Sequence, residues 1–273
     1  MDYLQAVVLG IVQGLTEFLP ISSTAHLRIV PALFGWADPG AAFTAVVQLG
    51  TMAAVLLFFW RDLWRIASAW ARALVSPELR GSLDARMGWY LIYGTVPIAV
   101  FGLVFKDQIE TGARDLRLIG WVLIIFGVVL WAVDRFFAQR KEIHDLTLRD
   151  GMLFGLAQAL ALVPGVSRSG STITAGRALG YTRESAARFS FLLSVPAVVL
   201  SGLFEARKLG EAGGPAWGPT IVATVVAFGV GYAAIAWLLR WLTHHSMLVF
   251  AVYRVVVGAL ILALVYGGTI AAT

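Results

Sequence analysis

The stretch "QGLTEFLPISSTAHL", Gln13 to Leu27, gathers an amide, a carboxylate, a proline, three adjacent hydroxyls and a histidine in a chain of 273 residues that is 59% hydrophobic. Gln13 and Glu17 are four apart and share a helical face, while Ser23 and His26 are three apart and share another once Pro20 has broken the helix. A second stretch, "PGVSRSGST", sets Ser167, Arg168, Ser169 and Thr172 at a glycine-flanked turn that opens a short helix. Exposed N–H groups at a helix start, a positive dipole end, hydroxyl donors and a guanidinium fork together make a phosphate site. The glutamate and histidine belong only to the first stretch and the arginine only to the second, so the implied site is composite. Plainer readings exist: Ser22 and Ser169 can serve as helix caps, and a lone glutamate can serve structure alone. The cost of ionisable groups in apolar surroundings makes function the default for Glu17 and Arg168.

The elements that must position these residues follow from composition. A mean hydropathy of +0.81 with 14% charged residues, against about 25% in soluble chains, describes an all-α polytopic membrane protein. "AAFTAVVQLGTMAAVLLFFW" (41–60), Met87 to Phe105 and Ala216 to Leu239 are uncharged and long enough to span. Leu118 to Val133, Phe189 to Phe204 and Met247 to Tyr266 add three more predicted spans. Two other apolar segments are interrupted: Tyr3 to Phe34 by Pro20 and its hydroxyls, and Met152 to Leu179 by Pro164-Gly165 and Ser167-Arg168-Ser169. Freed backbone at membrane depth is tolerated where it is buried in protein or lines a wet cavity, so each reads as a re-entrant helical hairpin.

The chain also repeats itself. "GIVQGL" at Gly10 is matched by "GLAQAL" at Gly155, and Phe43 to "WRDL" by Phe189 to "ARKL", with Arg61 and Arg207 in register. One membrane domain (1–273) is therefore expected, with repeat 1 over about 1–140 and repeat 2 over about 145–273. Each half holds one re-entrant hairpin and three spans, and the odd number inverts the second copy. Basic residues of Arg61–Arg86 and Arg135–Arg149, with Arg183, Arg188 and Arg240, fall on one side; Lys106, Arg114, Arg117, Arg207 and Lys208 fall on the other. The richer side is expected to be cytoplasmic, leaving both termini outside. The formal net charge of +5 is then a topology signal and not a nucleic-acid footprint. Arg61 to Arg86 is predicted to lie on the inner headgroups as an interfacial helix. Arg254, inside the last span, is read as structural, snorkelling or paired with Glu205 or Asp134. The absence of cysteine excludes disulfides and thiolate chemistry.

The two motifs resemble the signatures of the undecaprenyl-diphosphate phosphatases linked to bacitracin resistance, (E/Q)xxxE followed by PxSSTxH, and PGxSRSxxT. The likeness extends to "RFSFLLSVP" and "FAVYR" and so covers nearly the whole chain. Many members carry glutamate where this chain has Gln13. The resemblance implies hydrolysis of a C55 isoprenoid diphosphate to the monophosphate carrier and inorganic phosphate, in the bacterial plasma membrane, at a site open to the periplasmic face.

The residues suit that chemistry. A divalent cation, Mg²⁺ or Ca²⁺, held by Glu17 with help from Gln13, would offset diphosphate charge. Arg168 would grip phosphoryl oxygens, with Ser167, Ser169, Thr172 and backbone N–H groups completing the cradle and Ser22 a further candidate contact. Ser23 is the expected nucleophile, with His26 or Glu17 taking its proton; direct attack by His26 is the alternative. The expected partners are the polyprenyl diphosphate and membrane lipids, with no nucleic acid and room for a homodimer. An inverted-repeat transporter of an anionic lipid is the rival class, since broken helices meeting at the midplane also serve transport.

Overall fold

The computed structural model describes residues 1–105, 115–206 and 217–272. The expectations placed on Lys106, Arg114, Arg207 and Lys208 lie outside the described residues, as does the Glu205 side chain. The described chain is helical: α1 (Tyr3–Phe18), α2 (Ser23–Phe34), α3 (Gly40–Phe58), α4 (Trp60–Val75), α5 (Leu83–Val104), α6 (Leu116–Phe136), α7 (Leu148–Ala159), α8 (Arg168–Ala178), α9 (Arg183–Ala206), α10 (Trp217–Leu242) and α11 (Leu248–Tyr266).

Both interrupted segments break where their prolines require it. α1 starts on an Asp2–Gln5 capping box, and Leu19, ahead of Pro20, is extended because the proline ring crowds a preceding helical residue. α7 starts on a Thr147–Asp150 box and passes through a 3₁₀ turn, Leu160–Leu162, before Pro164. Each second helix opens on a serine with left-handed backbone, Ser22 at φ 78° and Ser167 at φ 72°. Each serine oxygen accepts an N–H of the following turn, from Ala25 and from Gly170. These are the only non-glycine residues with positive φ among the described residues. Such backbone costs about 1–3 kcal/mol and concentrates at functional sites.

The sequence predicts six spans; α5, α6, α10 and α11 are long and apolar enough to cross a membrane, and α3 with α4 forms a further candidate bent by 73°. α5 and α6 begin earlier than expected because Ser82 and Asp115 cap them. Phe189 to Phe204 falls inside α9, whose first turns carry Arg183, Glu184 and Arg188. Past the bend, α4 exposes Trp60 and Trp64 and buries Ile66 and Ala73, the amphipathic pattern expected of a helix lying along a headgroup layer.

The packing is close because small residues face carbonyls. α1 lies along α10, and a Cβ on Gly10 would stand 2.6 Å from the Ala223 oxygen. α7 lies along α5, where a Cβ on Gly155 would stand 2.2 Å from the Gly94 oxygen. Small residues of this kind let membrane helices approach backbone to backbone. α6 packs on α11, and Phe18, Phe59, Phe154, Phe189 and Phe191 fill the main apolar core.

The pairing of Arg254 with Asp134 is corrected. Asp134, near the end of α6, accepts from Arg177 Nε at 2.9 Å, from Arg183 Nε at 2.8 Å and from the Met247 N–H at 2.9 Å. Its carboxylate is thus committed to α8, α9 and the start of α11. Arg254 does not snorkel either: it is 1% exposed and turned onto backbone carbonyls at the breaks.

Candidate active site

The end of α1 and the start of α2 meet the start of α8 at one carboxylate. Glu17 is buried, and both its oxygens accept hydrogen bonds. Oε2 accepts from Ser23 Oγ at 2.7 Å and from Gln13 Nε2 at 3.0 Å; Oε1 accepts from Arg168 Nη2 and from Gln48 Nε2 at 3.4 Å. The break at Pro20 turns α2 back so that Ser23, six residues on, reaches Glu17. The arginine arrives from the other half of the chain.

Gln13 must turn its NH₂ toward Glu17 and Thr51, which leaves Oε1 buried with no partner. A buried acceptor without a donor calls for an occupant. Among the described residues no three His, Asp or Glu side chains converge. A divalent cation here would therefore be held by Gln13 Oε1 and Glu17 together with oxygens of the substrate, the manner in which Mg²⁺ is bound through one or two carboxylates and phosphates. The all-oxygen donor set fits that group.

The second break supplies donors and braces. Ser167 caps α8, its Oγ accepting from the Gly170 N–H at 3.1 Å and lying 3.1 Å from Ser169 Oγ. Ser169 Oγ donates to the Leu19 carbonyl at 3.1 Å, tying the second break to the first. Thr172 Oγ1 donates back to the Arg168 carbonyl at 2.7 Å and contacts Ser190 of α9. Ser22 caps α2 and lies 3.3 Å from Thr24 Oγ1. Ser22, Ser167 and Thr172 thus shape the loops, and Arg168 is the member of this group directed at Glu17.

His26 is engaged by groups other than Ser23. Its Nδ1 lies 2.7 Å from the Ser22 carbonyl and its Nε2 lies 2.8 Å from the Tyr253 hydroxyl of α11. Of the two candidate bases, Glu17 is the one bonded to Ser23. Arg254, next to Tyr253, donates to the Pro20 carbonyl of the first break at 3.1 Å, to Val166 and Gly165 of the second at 2.9 and 2.8 Å, and to Leu123 of α6 at 3.4 Å.

Sequence reasoning missed Gln48 and Tyr253. An amide within the uncharged 41–60 run was a signal for the first, since polar groups in spans face the protein interior. Tyr253 carried none beyond its place in "FAVYR".

A model of the bacitracin resistance protein BacA family matches residues 6–260. Over 273 residues the chain is 59% identical to an undecaprenyl-diphosphatase of Nocardioides sp., covering all of both chains. It is 52% identical to undecaprenyl-diphosphatase 2 of Streptomyces avermitilis, covering 99% of this chain and 97% of that one. It is 53% identical to an undecaprenyl-diphosphatase of Thermobifida fusca, covering 99% and 92%. With both motifs gathered at one carboxylate and the likeness running from end to end, this chain belongs to the bacitracin resistance protein BacA family.

Proposed function

We propose that this protein is a membrane-embedded phosphatase that hydrolyses undecaprenyl diphosphate to undecaprenyl phosphate and inorganic phosphate, returning the lipid carrier to cell-wall synthesis. The observation that carries the reading is the double engagement of Glu17, by the hydroxyl of Ser23 and the guanidinium of Arg168. The Ser23 proton already points at a carboxylate, which leaves an oxygen lone pair for attack on the terminal phosphorus. As that P–O bond forms, Glu17 takes the proton and loses its charge, and Arg168 is freed for the phosphoryl oxygens. The anhydride bond breaks and the lipid monophosphate departs. The N–H groups at the start of α8 add positive potential where the charge develops. Water then cleaves the phosphoserine and Ser23 recovers its proton from Glu17.

A bound Mg²⁺ or Ca²⁺ at Gln13 and Glu17 would supply charge neutralisation to the diphosphate. The likeness of the Ser22 and Ser167 caps supports an inverted repeat of two re-entrant hairpins. Further support comes from the exchanged packing, α1 of the first half on α10 of the second and α7 of the second on α5 of the first. The excess of arginine after α3 and α6 supports a site open to the periplasmic face with both termini outside. The test is release of inorganic phosphate from a polyprenyl diphosphate by purified protein, with and without EDTA. No release by the untreated protein refutes the phosphatase; full release in EDTA refutes the metal.

A further inference from the structure

His26 is buried among groups that define its protonation. A carbonyl only accepts, so Nδ1, 2.7 Å from the Ser22 oxygen, carries the ring proton. The lone pair of the neutral ring is then on Nε2, where the Tyr253 hydroxyl meets it at 2.8 Å as donor. The two rings stack at 5.5 Å with 15° between planes. His26 is 5% exposed and Tyr253 41% exposed, so the phenol is the more accessible member of the pair. The charged group acting on this ring is Arg254, held by its four carbonyls, while Glu17 and Arg168 satisfy each other.

Glu17 serves Ser23 in the first half-reaction and is protonated at its end, so it cannot also activate the water of the second. We propose that Tyr253 is a catalytic proton relay that joins this water to His26, an assignment resting on the phosphatase reading above. The phenol oxygen donates to Nε2 and has lone pairs free to accept from water. As the water oxygen attacks the phosphoserine phosphorus, its proton passes to Tyr253 Oη and the tyrosine proton passes to His26 Nε2. The P–Oγ bond breaks, Ser23 Oγ takes back the proton held by Glu17, and phosphate leaves. The imidazolium, its Nδ1–H still on Ser22, returns its proton through the phenol to the departing phosphate. Arg254 fixes Tyr253 from the adjacent position by locking α11 to both breaks.

Tyr253→Phe retains the stacked ring and removes only the relay. With radiolabel in the terminal phosphate, the purified variant should show kcat reduced roughly a hundredfold, within the range of general acid–base contributions, KM no higher than wild type, and covalent label accumulating on Ser23. Wild-type kcat, or a fall in kcat in a folded variant without retained label, overturns the relay. A fluorinated tyrosine at 253 preserves the fold if phenylalanine does not; it should move the basic limb of the kcat profile to lower pH, and an unmoved limb overturns the relay equally. Wild-type protein is assayed alongside: its failure to release phosphate removes the phosphatase reading and the relay with it, whereas an active wild type beside an unaffected variant removes the relay alone.

Discussion

Arg254→Leu and Arg254→Lys test whether one buried guanidinium holds the two breaks in place. In the wild type its N–H groups meet four carbonyls, those of Pro20, Leu123, Gly165 and Val166. Leucine leaves all four without that donor. A buried polar group left unsatisfied costs about 1–3 kcal/mol, so the simple sum overshoots once relief of the buried charge and local relaxation are counted. A net loss of about 3 kcal/mol, well below the simple sum, is expected for leucine. Lysine has three N–H bonds on one nitrogen, so at least one carbonyl stays unpaired and the loss is about 1–3 kcal/mol. Ser23 lies three residues beyond Pro20 and Arg168 two beyond Val166, so the catalytic geometry loosens with the anchors. A misplacement on the order of 1 Å costs about a hundredfold in rate. Thermal unfolding in one detergent and phosphate release at saturating substrate should rank wild type, lysine, leucine in falling order on both measures. A leucine variant as stable and as fast as wild type would show that the breaks hold their shape without α11.

Three further outcomes are expected. Ser23→Ala should abolish phosphate release while the folded protein still binds polyprenyl diphosphate, and wild-type turnover would remove Ser23 as nucleophile. Arg168→Lys keeps the charge and loses the planar fork, so kcat and kcat/KM should fall together by roughly a hundredfold; a change confined to KM would reduce Arg168 to docking. Gly155→Leu should lower the melting temperature and yield of folded protein, because its Cβ would stand 2.2 Å from the Gly94 oxygen, and a variant melting with the wild type would contradict the close α5–α7 contact.

Much of this protein was legible in order along the chain. Hydropathy declared the apolar helices, the prolines declared where helices stop, and residue types within each break marked two polar segments, which the structure brings together at Glu17. The reason is that span length, backbone donors and helix caps are local properties, written within a turn or two of the residue concerned. The change from a span to an amphipathic helix at Trp60 was legible for the same cause, although that helix ends at Val75 and Arg86 belongs to α5.

The pairing of side chains from different elements was decided by the tertiary structure. Helical spacing set Ser23 beside His26, yet the turn at Pro20 delivered Ser23 to Glu17 and left His26 to a tyrosine 227 positions away. Asp134 was one of two apparent counter-ions for Arg254, but it serves Arg177 and Arg183, and Arg254 spends its donors on carbonyls as far as 234 positions off in sequence. Periodicity reports neighbours three or four residues apart on one helix. Which carboxylate, carbonyl or ring stands opposite a given side chain depends on how the halves interleave. That is fixed by small residues such as Gly10 and Gly155 letting helices of different halves touch backbone to backbone.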